Sequence, residues 1–226
     1  MDEILSFFST LYATRVSSPF ICDGLNWRGL SLQDSNLLEA PFTEKEIREA
    51  VFDMGCLKSP GPDGMTGEFY KKSWNILKSD LVRVFQDFFK NGVINICSET
   101  YICLIPKKKE ACRVSDFRPI SLITSLYKII SKVLASRLKK VLPSIINDSQ
   151  MAFVEGRQIL DAILTASEAV DEWSLRGRKG VLLKLDLEKA YDKVDWSFLD
   201  MIMKLKGFGK RWRKWIWGCL STLITQ

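Results

Sequence analysis

The stretch LLKLDLEKAYDKVDW, from Leu182 to Trp196, guides the interpretation of the whole chain. From position 181 onward, leucine and valine side chains alternate with other residues, which is the period of a β-strand. Asp186 stands near the end of this predicted strand, just before a helical segment is predicted to begin. A carboxylate in that place can coordinate a hard cation such as Mg²⁺, or it can cap the following helix. The residues alone leave both roles open.

Composition limits the class of protein. With 46% hydrophobic residues, the 226-residue chain can bury the core of one large domain or of parts of two. The six cysteines form no Cys-x-x-Cys pair and there is no histidine, so a structural zinc site is not expected. No apolar run reaches the roughly 18 residues of a membrane span, so we expect no membrane partner and no signal peptide. Scattered free thiols predict a reducing, intracellular compartment.

The net charge of +6 is unevenly distributed along the chain. Residues 107–140 contain ten basic side chains and two acidic ones, an excess larger than that of the whole protein. A second basic cluster occupies residues 204–214. Basic residues usually form the solvated face of a helix, but two such clusters in one modest domain favour a polyanionic partner.

Spacings of three and four between apolar residues predict that most of the chain is helical. Four helices are predicted at residues 2–12, 66–78, 80–91 and 124–142. A further helix is predicted to follow the capping box of Thr43 and Glu46, and another to end at about Trp173. Two more are predicted to begin after Asp195 and at Lys210. Aromatic side chains at helical spacing are predicted to lie in the core: Phe69, Tyr70, Trp74, Phe85, Phe88 and Phe89. The last run, KRWRKWIWGCL, could pack its tryptophans into the core or stack them on bases.

The segment 124–142 gives the clearest helical pattern. Its apolar residues form a single stripe that we expect to be buried, with Arg137 and four lysines largely off it. Two of those lysines, Lys128 and Lys132, would form part of a basic face able to contact a nucleic-acid backbone without reading its sequence. Pro143 is expected to follow the end of the helix.

Residues 101–122 predict a basic arm. YICLIPKKK reads as a strand that runs into a basic loop, and FRPISL returns from it. Arginine presents a planar fork that matches phosphate oxygens, and lysine presents a point charge. Two extended segments joined by such a loop would suit an arm that closes over a triphosphate.

Five blocks in this order resemble the reverse transcriptases of LINE-type (non-LTR) retrotransposons, especially those of plants. The blocks are SPGPDG (59–64), LIPKKK (104–109), FRPISL (117–122), FVEGRQ (153–158) and LKLDLEKAYDKVDW (183–196). The resemblance covers roughly residues 40–226. It implies a helix-rich α+β fold, a partial right-hand polymerase with fingers and the first palm strand and helices. The implied domains are an N-terminal helical extension (1–58), a fingers-like region (59–178) and an incomplete beginning of the palm (179–226).

The resemblance also implies roles for individual residues. Asp186 would ligate both catalytic Mg²⁺ ions, and Tyr191 would pack under the sugar of the incoming nucleotide and exclude a 2′-hydroxyl group. Arg118 is the first candidate to contact the phosphates of that nucleotide, and Lys107 is the second. Arg157 could reach a template phosphate or sugar, although a glycine turn at Gly156 with an arginine that begins a helix explains the same residues.

The implied function is RNA-directed DNA polymerisation, the addition of deoxynucleotides to a primer 3′-OH by two-metal phosphoryl transfer. Its partners would be an RNA template, a DNA primer and deoxynucleoside triphosphates, in the nucleus; no specific protein partner can be predicted. The sequence contains no Asp-Asp dipeptide, which the family uses for its remaining metal ligands. We therefore expect this chain to be inactive by itself. The alternative is a non-catalytic, nucleic-acid-binding remnant of a transposable element.

Overall fold

The computed structural model describes residues 2–12, 27–56, 58–94, 100–186 and 193–221. The helices before the sheet are α1 (Asp2–Tyr12), α2 (Leu32–Leu38), α3 (Glu44–Phe52), α4 (Gly67–Lys72) and α5 (Trp74–Asn91). The strands β1 (Thr100–Pro106) and β2 (Phe117–Ile123) follow, with a 3₁₀ turn at Val114–Asp116 between them. The later helices are α6 (Ser125–Ile145), α7 (Ile159–Leu175), α8 (Trp196–Leu205) and α9 (Lys210–Ser221). The prediction of a helix-rich α+β chain is therefore confirmed.

Helix α6 forms the centre of the hydrophobic core. Its side chains Ile129, Ile130 and Val133 are fully buried against α3 and α5. Trp215 of α9 reaches the same core and lies 4.9 Å from the ring of Phe42 between centroids. We refer to α2 to α6 together with α9 as the helical body. The predicted apolar stripe of residues 124–142 and the core packing of Trp212 and Trp215 are both confirmed, whereas Trp217 is exposed.

Several helix ends depend on local chemistry that was visible in the sequence. Thr43 caps α3, and the predicted capping box is complete because the Glu46 carboxylate accepts from the Thr43 amide. Gly92 ends α5 at a positive φ of 69°, a conformation that glycine adopts without a steric penalty. Asp195 caps α8 by accepting from the Phe198 amide at 2.9 Å.

Three predictions about helices need correction. The break between α4 and α5 falls at Ser73, earlier than predicted, because Ser73 ends one helix and begins the next. Pro143 lies inside α6, which continues to Ile145. Phe69 is exposed, because the short helix α4 turns Tyr70 toward the core and Phe69 away from it.

Arg137 of α6 is also placed differently from the prediction. It is buried, with 6% of its surface exposed. Its guanidinium donates to the carbonyl oxygens of Leu38, Ala40 and Pro41 and to the Glu46 carboxylate, at 2.6 to 3.0 Å. A cation with this many acceptors can be buried without losing its charge. Arg137 therefore fastens the α2–α3 corner to α6.

The segment from α7 to Asp186 has almost no tertiary packing. No described residue of α7 is buried, although its apolar side chains have helical spacing. Residues 181–186 form no strand and are exposed, so the predicted strand is wrong for this segment. A strand needs a hydrogen-bonding neighbour, and within the described ranges no other segment pairs with residues 181–186.

Among the helices of the described residues, none is long and apolar enough to cross a membrane.

Candidate functional site

The two strands form an antiparallel hairpin, which we call the basic arm (residues 100–123). Pairing runs from Thr100 with Ile123 at the base to Pro106 with Phe117 at the loop end. No residue of either strand is buried. Of its apolar side chains, in the part of the chain that the structure describes, Ile123 alone packs against the core. The predicted strand, loop and return are confirmed, and the arm projects from the helical body.

Asp116 organises the loop of the arm. Its carboxylate accepts from the backbone amides of Cys112 and Arg113 and pairs with the Lys108 ammonium at 3.0 Å. The hydrogen bond from Lys108 is the main cause of the lowered pKa of Asp116, so the carboxylate stays ionised. The Lys107 amide donates to the Asp116 carbonyl at 2.8 Å. The loop thus has a defined shape despite its exposure.

Arg118 and Lys107 lie close together along the arm, at its loop end. Arg118 is exposed and is paired with Ile105 across the sheet, and its side chain makes no hydrogen bond or ion pair with any residue that the structure describes. Lys107 is exposed, and its ammonium donates to the Ser115 carbonyl at 2.7 Å. The Arg118 guanidinium is thus accessible to an anion, which it could bind in a bidentate manner.

Lys128 and Lys132 lie on the face of α6 that meets the segment before α4. Lys128 donates to the Ser59 carbonyl at 3.0 Å. Lys132 pairs with the Asp53 carboxylate at 2.6 Å and is the main cause of that carboxyl group's lowered pKa. The two ammonium groups thus hold Ser59 and Asp53 on α6. A contact of either lysine with a template stays a prediction.

Arg157 is engaged within the chain. Its guanidinium donates to the carbonyl oxygens of Pro143, Ile146, Asn147 and Gln150, and it also reaches the Asp148 carboxylate at 3.4 Å. These acceptors include the carbonyls at the end of α6, which no further turn of helix satisfies. Gly156 makes the predicted turn, with a φ of 79°, but Arg157 does not begin a helix, because α7 starts at Ile159. A template contact stays a prediction.

Asp186 is exposed at the end of the unpaired segment 181–186. A carboxylate is the ligand type that Mg²⁺ prefers, so its donor chemistry fits that ion. Within the described ranges, no three acidic, cysteine or histidine side chains come together as a metal-binding group. Asp186 could supply one ligand of such a site. Tyr191 lies outside the described residues.

Sequence reasoning did not identify the partners of two polar residues. Glu46 was recognised as part of a capping box, but its bond to Arg137 joins residues 91 positions apart. Asp63 of the SPGPDG block accepts from the Ser125 amide at 2.8 Å, across 62 positions. The two prolines and two glycines of the block that contains Asp63 predict a turn, but no neighbouring residue indicates the distant partner of Asp63.

Comparison with known families identifies the class of the chain. Residues 105–226, which begin within the basic arm and run to the last residue, match the family of reverse transcriptases (RNA-dependent DNA polymerases). This match covers more than half of the chain. The chain therefore belongs to the reverse transcriptase family.

The relatives define the branch of the family. An uncharacterized 149 kDa protein of transposon TX1 from Xenopus laevis is 35% identical over 92% of this chain and 16% of its own length. Retrovirus-related Pol polyproteins of the type-1 retrotransposable elements R1 from Bradysia coprophila and R2 from Nasonia vitripennis are each 25% identical, over 71% and 74% of this chain. This chain spans 16% of either polyprotein. These are non-LTR retrotransposon proteins, so the LINE-type resemblance is confirmed.

Proposed function

We propose that this chain binds the incoming nucleotide for an RNA-directed DNA polymerase that extends a primer 3′-OH on an RNA template. The exposed basic arm carries the proposal, because Arg118 is accessible on it. The reverse transcriptase match, which includes β2 and the arm's loop, supports it. In this proposal residues 1–58 form an N-terminal helical extension, residues 59–178 act as the fingers of a right-hand polymerase, and residues 179–226 begin the palm.

The arm would recognise the triphosphate. Arg118 would donate two parallel hydrogen bonds to phosphate oxygens, and Lys107 would add a second positive charge beside it. Asp116 would stay paired with Lys108 and keep the loop in shape. Phosphoryl transfer depends mostly on positioning and charge neutralisation, so a pair of cations held on one arm suits that chemistry.

Asp186 would ligate Mg²⁺ in this proposal, and Tyr191 would contact the sugar of the nucleotide. When bound, the metal ions would neutralise charge on the phosphates and lower the pKa of the attacking hydroxyl. The exposure of Asp186 supports access by a cation. Lys128, Lys132 and Arg157 would lie along the template. The family resemblance alone supports a location in the nucleus.

Nucleotide binding provides the direct test. Arg118→Ala should weaken the binding of dGTP with Mg²⁺ about ten- to hundredfold, because a charge-assisted hydrogen bond to phosphate contributes roughly 1.5–3 kcal/mol. Arg83→Ala is the matched control, since Arg83 is an exposed arginine of α5. Equilibrium dialysis with labelled dGTP measures both. Equal affinity of the Arg118→Ala variant and the unsubstituted chain would refute the role of the arm.

Primer extension tests the polymerase itself. Incorporation of deoxynucleotides on an RNA template that disappears in Asp186→Asn would establish catalysis by this chain. Asp171→Asn, a change of an exposed carboxylate on α7, is the control. Incorporation by both variants would show that Asp186 is not a metal ligand in the reaction.

A non-catalytic nucleic-acid-binding protein is the second candidate. Exposed basic side chains on the outer face of α9 favour it: Lys210, Arg211 and Lys214. Arg211 also stacks over Phe89, with its guanidinium carbon 4.6 Å from the ring centroid. In that case RNA affinity should fall steeply with added salt, since each phosphate contact releases counterions. Strong salt-dependent RNA binding with no dGTP binding would favour this candidate over the first.

A further inference from the structure

The SPGPDG block packs against the junction where β2 becomes α6. Gly61 of this block is buried there. A Cβ added at Gly61 would overlap the carbonyl group of Ile123 and the amide of Thr124. Because both are backbone groups, neither can move aside as a side chain could. Gly61 thus permits a backbone-to-backbone approach that any other residue would prevent.

Asp63 of the same block caps α6. One carboxylate oxygen accepts from the Ser125 amide at 2.8 Å, and the other accepts from the Met65 amide at 3.2 Å. The Ser125 hydroxyl donates to the Met65 carbonyl at 2.6 Å, which closes a small network. Thr124, the residue in the capping position, makes no side-chain capping bond. Asp63 therefore satisfies a first-turn amide that the local sequence leaves open.

This junction lies at the base of the basic arm. Ile123 ends β2 and is paired with Thr100, whereas Arg118 lies five positions further out on the same strand. Among the described residues, the arm's apolar side chains meet the core through Ile123 alone. The direction in which the arm projects therefore depends on how firmly residues 123–125 are held.

We propose that Gly61 and Asp63 are positioning residues that aim the basic arm. Asp63 fixes the start of α6, Gly61 brings the block onto the end of β2, and the two together hold the arm at one angle to the helical body. Without the carboxylate, the Ser125 amide would lack its partner and the junction would loosen. The expected effect on nucleotide binding rests on the function proposed above, whereas the positioning of the arm on the helical body does not.

Distances between spin labels test the geometry. Cys112 lies in the loop of the arm, and Ile76 is an exposed residue of α5, so labels at Cys112 and Ile76→Cys report the arm relative to the helical body. Four other cysteines are first replaced by serine: Cys22, Cys56, Cys97 and Cys103.

Asp63→Ala should broaden or shift the distribution of label distances. Asp63→Asn keeps one acceptor oxygen, so its distribution should lie closer to that of the unsubstituted chain. Exchange of the Ser125 amide should be about tenfold faster in Asp63→Ala, as expected for a lost charge-assisted bond. Gly61→Ala should also change the distances. Gly29→Ala should not, because its Cβ would meet the Lys206 carbonyl oxygen at an ordinary 3.6 Å. Circular dichroism verifies that each variant is folded.

The outcomes separate the two proposals. Unchanged distances in folded Asp63→Ala and Gly61→Ala, with Ser125 exchange also unchanged in the former, would overturn the positioning role. If Asp63→Ala fails to fold, Asp63→Asn and Gly61→Ala decide. Changed distances in a chain that never binds dGTP would support the positioning role and refute nucleotide binding. If the positioning role and nucleotide binding by the arm are both correct, Asp63→Ala should weaken dGTP binding several-fold. Asp63→Asn should then recover part of that loss.

Discussion

Helices α6 and α7 carry similar apolar patterns and have opposite environments. Both show apolar side chains every three or four residues, yet α6 supplies the centre of the core and no described residue of α7 is buried. The difference lies in what surrounds each helix. Helix α6 packs against α2 and α3, and it shares one core with side chains of α5 and α9. An amphipathic pattern therefore predicts a helix and an apolar face, but burial requires a partner surface.

The same contrast separates the two extended regions. The segments of the basic arm pair with each other, because the loop between them returns the chain directly to β1. Residues 181–186 have a similar content of apolar side chains, yet no segment within the described ranges pairs with them, and Val181 is 96% exposed. Pairing within the arm is local, because its two strands are joined by one short loop.

Two tryptophans give the strongest test of this contrast. Trp215→Ala in α9 should lower the free energy of unfolding by about 4 kcal/mol, because a fully buried indole is lost from the core. Trp173→Ala in α7 should cost less than about 1 kcal/mol, since 47% of that side chain is exposed. Urea unfolding monitored by circular dichroism measures both. Equal losses would contradict the division between a packed body and an unpacked α7.

The buried arginine gives the next largest effect. Arg137→Ala should cost about 3 kcal/mol, because it leaves the Glu46 carboxylate without its cation and three carbonyl groups without a donor. Arg137→Lys should be only a partial replacement, since an ammonium lacks the planar fork. Arg83→Ala, an exposed control, should be nearly neutral. A neutral Arg137→Ala would mean that the α2–α3 corner is held by apolar packing alone.

The same pair predicts a dependence of stability on pH. Burial by itself would raise the pKa of Glu46, but hydrogen bonds from Arg137 and Thr43 outweigh burial and lower it. A carboxyl group whose pKa is lower in the folded state stabilises the fold above its unfolded pKa of about 4.3. That contribution is lost as the pH falls through the folded value.

The urea midpoint should therefore fall more steeply below about pH 4.3 in the unsubstituted chain than in a Glu46→Gln variant. Glu44→Gln, on the first turn of the same helix, controls for general changes in charge. Parallel pH profiles for the unsubstituted chain and Glu46→Gln would show that the pair does not stabilise the fold.

The sequence predicted what depends on neighbouring residues. The capping box at Thr43, the end of α5 at Gly92 and the hairpin of the arm follow from residues within a few positions of one another, and the structure confirms them. Helical spacing places Arg137 largely off the apolar stripe, yet the structure buries it. Its acceptors lie 91 to 99 positions away, and no local pattern reveals them.

The candidate site also contains features that the local sequence predicts and contacts that it does not. The basic loop could be predicted from a run of lysines, and the role of Arg118 followed from the resemblance of FRPISL to the family. The contacts of Lys128, Lys132 and Arg157 with backbone carbonyls could not, because any carbonyl can accept and the sequence does not show which one lies near. Asp63 was invisible for the same reason: its partner is the backbone amide of a residue 62 positions away.

The smallest expected effect tests α7 directly. Ile163→Glu should change the free energy of unfolding by less than about 0.5 kcal/mol, since Ile163 is exposed and has no core contact to lose. The matched change Ile129→Glu in α6 should unfold the chain, because an unpaired carboxylate would enter the centre of the core. If Ile163→Glu instead destabilised the chain strongly, α7 would have to be packed in solution. A neutral result would establish that an apolar stripe on a helix contributes to folding only where the chain supplies a surface to cover it.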